Sequence, residues 1–148
     1  MSLKGRIQED MKQAMKAGDR DRLKVVRMIL AAVKQQEIDR RTELDDTALL
    51  QVIEKMVKQR RDSIHQFRQG GREDLAAQEA AEIAVLEHYL PEPLSPAELD
   101  RLITEAIAQT GATTMRDMGK VMGELKPRVQ GRADMGAVSA AVKARLGA

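Results

Sequence analysis

Apolar residues recur along this chain at intervals of three and four, the spacing that lines one side of an α-helix. Ile7, Met11, Ala14 and Met15 share such a face, which predicts a first helix from just after Ser2 to Ala17–Gly18. Gly18 fits a helix stop and Asp19 a cap for the second helix. Leu23, Val26, Ile29, Leu30 and Val33 predict that second helix over 21–40. Asp45 or Asp46 can cap a third, with Leu49, Ile53, Met56, Val57, Ile64 and Phe67 inward, running to about Gln69 before Gly70–Gly71 breaks it. Leu75, Ile83, Leu86 and Leu90 predict a fourth from Glu73 to Tyr89.

The pattern then changes. Pro91, Pro93 and Pro96 fall within six residues and cannot continue a helix. Ser95 can cap a fifth helix, with Pro96 at the first helical position and Glu98 completing a capping box. Leu99, Leu102, Ile103, Ala106 and Ile107 give that helix its apolar stripe, and Gly111 ends it. Met115, Met118, Val121, Met122 and Leu125 predict a short sixth over 114–125. A basic loop is expected from Lys126 to Ala133. Asp134 then caps a last helix with Met135, Val138, Val142 and Leu146 inward. The expected architecture is all-α: a four-helix N-terminal domain (residues 1–93) joined by the proline-rich hinge to a small three-helix C-terminal domain (94–148).

Composition narrows the function. The 148 residues contain no cysteine, which removes thiolate metal sites, iron–sulfur clusters and cysteine nucleophiles. No tryptophan, one Phe and one Tyr leave no aromatic platform for stacking bases. No apolar run approaches the roughly 20 residues of a membrane helix, and the N-terminus lacks a signal-peptide stretch. A cytoplasmic protein without membrane contact is expected.

Candidate chemistry is sparse. His65 and His88 are the only histidines, and neither stands in a Glu-x-x-His pair of the di-iron type, so no metal is expected. None of Ser2, Ser63, Ser95 and Ser139 sits in a nucleophile elbow. Gly119-Lys120 lacks the first glycine and the hydroxyl residue of a phosphate loop. Paired carboxylates such as Asp45–Asp46 and Glu73–Asp74 stand where helix starts favour them. No catalytic residue and no cofactor are expected.

Charge is more informative. Residues 1–93 carry 17 basic and 17 acidic side chains, whereas residues 94–148 carry 8 and 6. Between Lys126 and Arg145, five cations meet one acid, Asp134. Lys120, Lys126, Arg128, Arg132 and Lys143 are the candidate contacts for a phosphate backbone, and Gly119, Gly123 and Gly131 the places where that backbone can come close. The ordinary alternatives stand beside this: a solvated basic loop, helix-end cations favoured by the dipole, and glycines that let two helices approach.

Asp117-Met118-Gly119-Lys120-Val121-Met122-Gly123, followed by Gly131-Arg132-Ala133-Asp134, resembles the tail of the GatB/YqeY family. Asp10-Met11-Lys12, Leu23-Lys24-Val25-Val26-Arg27-Met28 and Leu86-Glu87-His88-Tyr89-Leu90-Pro91 resemble stand-alone YqeY proteins, so the likeness spans the chain. GatB belongs to the glutamine-dependent aminoacyl-tRNA amidotransferase; its helical and tail domains are the shared part, and its tail contacts the tRNA body. Phosphorylation and amide formation occur in a separate cradle domain, for which this chain has no room. The resemblance therefore implies a non-catalytic tRNA-binding protein, with an aminoacyl-tRNA synthetase or amidotransferase subunit as a further partner and no DNA specificity. Two alternatives stand: an accessory component of a carbon–nitrogen ligase with glutamine as amido-N-donor, and a purely protein-binding helical module. Lys120, Gly119, Gly123, Gly131 and Asp134 match the family block. Arg132 replaces a common Lys, while Pro127 and Met135 depart from it.

Overall fold

A computed structural model of the chain describes residues 1–147. Its regular structure is helical: seven α-helices and a single 3-10 turn, with no strand among the described residues. Contacts divide the chain into two compact units, Met1–Leu90 and the residues from Pro91 onward.

In the first unit, α1 (Leu3–Ala17), α2 (Arg20–Arg40), α3 (Asp46–Gln69) and α4 (Glu73–Glu87) succeed one another through short turns. Their starts are set by side chains that satisfy otherwise orphaned N–H groups. Ser2 accepts from Gly5 at 3.0 Å, Asp19 from Arg22 at 3.2 Å and Asp45 from Ala48 at 2.8 Å. Gly18 ends α1 at a φ of 67°. At the end of α2 the same left-handed role falls to Arg41, with φ 54°, although an L side chain there costs about 1 kcal/mol.

Ile7, Val26, Ile29, Val33, Leu49, Ile53 and Leu86 form the centre of this unit's core. Met15, expected inward, lies at the edge of its stripe and is exposed. Two polar groups are drawn inside. Arg60 is 8% exposed; its Nε donates to Glu82 at 3.3 Å and its Nη1 to the Met56 carbonyl at 3.1 Å. Tyr89 lies in a turn just past α4, which stops at Glu87, two residues short of the expected end. Its hydroxyl donates to Asp10 at 2.7 Å. Burial, reinforced by that carboxylate, pushes the phenol up to about 12.

In the second unit, α5 (Pro96–Thr110) leads through a 3-10 turn (Met115–Asp117) into α6 (Met118–Val129), and α7 (Met135–Leu146) closes the chain. Ser95 caps α5 by accepting the Glu98 N–H at 3.1 Å; its hydroxyl bonds the Glu98 carboxylate, so the expected reach of Glu98 to the Ser95 backbone is replaced by a side-chain contact. The core joins Ile103 and Ala106 to Val121, Leu125, Val129, Val138 and Val142. Met115, expected inward, is 39% exposed.

The basic segment after Leu125 is not all loop. α6 continues through Pro127 to Val129. Val121, Leu125 and Val129 repeat every four residues and are all fully buried, so the apolar stripe carries the helix one turn past the expected end. Gln130 N–H closes that turn onto the Lys126 carbonyl at 3.1 Å. Gly131, with φ 76°, then turns the chain towards α7, which Asp134 caps through the Ala137 N–H at 3.1 Å.

Candidate nucleic-acid interface

The buried stripe of α6 fixes what its other side presents. At roughly 100° per residue, Val121, Leu125 and Val129 define one face, and Gly119, Lys120, Gly123 and Pro127 fall opposite. Gly119, Lys120, Gly123, Pro127 and the neighbouring Lys126 are all exposed.

The two glycines are not needed for packing inside this unit. Both lie in the right-handed helix, and a Cβ built on either meets nothing within 4 Å. Close approach of α6 to a neighbouring helix within the unit is therefore excluded as their cause. Each costs about 1 kcal/mol of helix propensity relative to alanine, with no compensating contact in the unit. Pro127, four residues after Gly123, has no N–H to give the Gly123 carbonyl. The result is a bare strip of backbone beside two lysines.

The cations of this unit fall into two groups. Lys120, Lys126 and Lys143 are exposed and make no ion pair among the described residues. Lys120 does lie near Asp117, but that carboxylate is already engaged as a cap. It accepts the N–H groups of Thr113 at 2.9 Å and Thr114 at 3.2 Å, and these, more than Lys120, hold it below the usual carboxylate range.

Three of the five arginines are tied down, whereas Arg101 and Arg116 are exposed and make no ion pair among the described residues. Arg128 donates to Glu105 on α5 at 3.2 Å. Arg132 donates to the Glu92 carbonyl at 3.0 Å and approaches Glu98 at 3.7 Å. Arg145 donates to Asp100 at 2.9 Å and to Thr104 at 2.9 Å. Guanidinium groups suit such forked contacts, whereas lysines on flexible stems remain solvated. The structure thus places Lys120 and Lys126 with Gly119 and Gly123 on the outer side of α6. It places Arg128 on the flank towards α5, Gly131 in the turn after α6 and Arg132 against the segment before α5.

Lys143 stands elsewhere, on α7. It lines an open apolar hollow of about 480 Å³ with Met115, Ala140, Ala144 and Gly147. Among the described residues no helix is long and apolar enough to cross a membrane, and no three acidic, histidine or cysteine side chains gather as metal ligands.

Comparison with known proteins adds identity. A family model described as "Yqey-like protein" matches residues 4–146. Curated relatives bear the name "Altered inheritance of mitochondria protein 41, mitochondrial". The one from Vanderwaltozyma polyspora is 33% identical over 119 residues, covering 76% of this chain and 64% of its own length. That from Kluyveromyces lactis is 42% identical over 84 residues, covering 56% and 45%. That from Pyrenophora tritici-repentis is 32% identical over 130 residues, covering 86% and 71%. The matched region thus spans less than two thirds of the length of the first two of these relatives. Their names overturn the expectation of a cytoplasmic protein, which rested only on the lack of membrane and signal-peptide patterns.

Proposed function

The chain belongs to the Yqey-like protein family, and on that premise we propose that it is a non-catalytic tRNA-binding protein. The observation that carries the proposal is the outer side of α6. Two glycines there have open space where their Cβ atoms would be, and two exposed lysines without ion-pair partners stand beside them. A phosphate backbone can lie against such a strip at closer range than any side chain would permit. Lys120 and Lys126 neutralise its charge, and Arg128, Arg132 and Lys143 contribute from the flanks. The arginines do so only by exchanging Glu105 and Glu98 for phosphate. Recognition of this kind reads RNA shape and backbone rather than base edges, in keeping with a chain that has no aromatic platform. The two contact-defined units act in this reading as separate domains joined through the prolines, the first serving as a spacer and as a docking surface for an amidotransferase or synthetase subunit.

The test is a filter-binding titration of unfractionated tRNA at rising salt. Saturable binding whose log–log salt slope falls by about 1.5 units in Lys120→Gln/Lys126→Gln supports the proposal, since each phosphate contact contributes roughly 0.7–0.9. Binding that is absent, or insensitive to salt, overturns it. A mixture with glutamine, ATP and mischarged tRNA forms no amide product in this reading; product formation would restore the carbon–nitrogen ligase alternative.

A further inference from the structure

The exposed side of α2 carries one sign of charge over most of its length. Arg20, Lys24, Arg27 and Lys34 are all exposed and recur at intervals of four, three and seven. At 100° per residue they fall within a strip about 80° wide and roughly 21 Å long. Ala31, Gln35 and Ile38 complete the strip, and no acidic residue lies in it. Asp21 and Asp39 sit to one side, and Asp39 is engaged by Gln35 at 3.0 Å. Glu37 sits to the other side, bound to Lys4 and to the Leu44 N–H. Among the described residues none of the four cations forms an ion pair or side-chain hydrogen bond.

Helix stability does not explain this arrangement. Like charges three and four residues apart repel, and Arg20 and Lys24 stand near the positive end of the helix dipole. The exposed side of α3 shows the usual alternative: Lys55 and Lys58 are interspersed with Gln51, Asp62 and Gln66. The ligand such a strip fits is an extended polyanion. An anionic membrane fits less well, because helices that lie on bilayers turn an apolar face to the lipid. The apolar face of α2, with Val25, Val26, Ile29 and Val33, is buried in its own unit.

We propose that this strip on α2 is a second, separate contact for the phosphate backbone of a structured RNA. The inference rests on the proposed tRNA binding and extends it to the first unit, where 17 basic residues stand against 16 acidic ones. A polymer held by the tail raises its own local concentration at any other site on the same chain, so modest contacts at the strip still register.

The full chain and the variant Arg20→Gln/Lys24→Gln/Arg27→Gln/Lys34→Gln are titrated with unfractionated tRNA between low and moderate salt. Far-ultraviolet circular dichroism checks that helix content is retained. The expected result is a salt slope reduced by about three units, with Lys55→Gln/Lys58→Gln leaving it near the parent value. The milder Arg27→Gln/Lys34→Gln should lower it by about half as much, and serves if the fourfold variant loses helix content. Intact binding with an unchanged slope in the strip variants, while Lys120→Gln/Lys126→Gln lowers it, overturns this inference alone. No binding by the parent chain overturns the tRNA proposal and this inference with it. Strip variants that keep the parent tRNA slope but lose binding to phosphatidylserine vesicles overturn the RNA assignment in favour of a membrane.

Discussion

The two units hold their charge in opposite ways. The first carries 17 basic and 16 acidic residues, yet one helix side is basic and uncompensated over most of its length, while several of its acids are engaged elsewhere by Arg60, Lys4 and Arg22. The second carries 8 basic and 7 acidic residues, yet three of its five arginines, Arg128, Arg132 and Arg145, each face a carboxylate. A net charge per domain therefore says little about where free charge lies. What matters is which residues find partners at three or four ångströms, and that is a property of the fold.

The comparison breaks most visibly through the cores. Leu125→Ala removes a fully buried side chain from the smaller core and should cost about 2–5 kcal/mol. A unit of that size has little reserve. Calorimetry should show an early transition confined to the second unit, with the first unit's transition unmoved; a single shared transition would contradict their separateness.

Arg60→Ala attacks the internal charge pairing of the first unit. It leaves Glu82 without its nearest cation and should cost about 2–3 kcal/mol, read from the urea midpoint. Arg128→Ala, a partly exposed pair in the second unit, should cost under about 1 kcal/mol. Equal costs would erase the distinction between buried and peripheral pairs.

Gly119→Ala and Gly123→Ala sharpen it further. Each should stabilise the second unit by about 0.5–1 kcal/mol, because the added methyl enters open space in a helical backbone, and each should weaken tRNA binding. Stabilisation without weaker binding would leave the two glycines without a role at the interface.

The smallest effect is one of pH. The Leu44 N–H, then Lys4, hold the Glu37 carboxyl below its ordinary value. A depressed carboxyl supplies stability above its unfolded pKa of about 4.3 and loses it as acid protonates the folded form. Melting temperatures of the parent and Glu37→Gln should differ at neutral pH and converge as pH falls below that value. A constant gap down to about pH 3 would dissociate Glu37 from the acid limb.

Much of the helical layout was legible. Ser2, Asp19, Asp45, Ser95 and Asp134 are short polar residues ahead of apolar periodicity, and each caps a helix. Gly18 and Gly111 mark ends because only the backbone has to be right there. What escaped reading depended on contacts made across the sequence. Pro127 argued for a loop, but tertiary burial of Val129 outweighed it. Arg41 in a left-handed turn and Arg60 inside a core have no local signature. The Met-Gly-Lys-Val-Met-Gly block lies at the start of α6 with its glycines and lysine on the exposed side, but the intramolecular ties of Arg128 and Arg132 come from Glu105 and Glu98, more than twenty residues away. The basic side of α2 was present in the 20–24–27–34 spacing all along and was hidden by summing over residues 1–93.

Tyr89 gives the molecule a built-in optical marker. It is the only phenol in a chain without tryptophan, and it belongs to the first unit. With its ionisation displaced to about 12, its ultraviolet absorbance stays constant across the working range of buffers. The second unit is spectroscopically silent by the same token. One fluorophore introduced there would report on its own surroundings against an empty background, and each half could be followed at its own wavelength in a single cuvette.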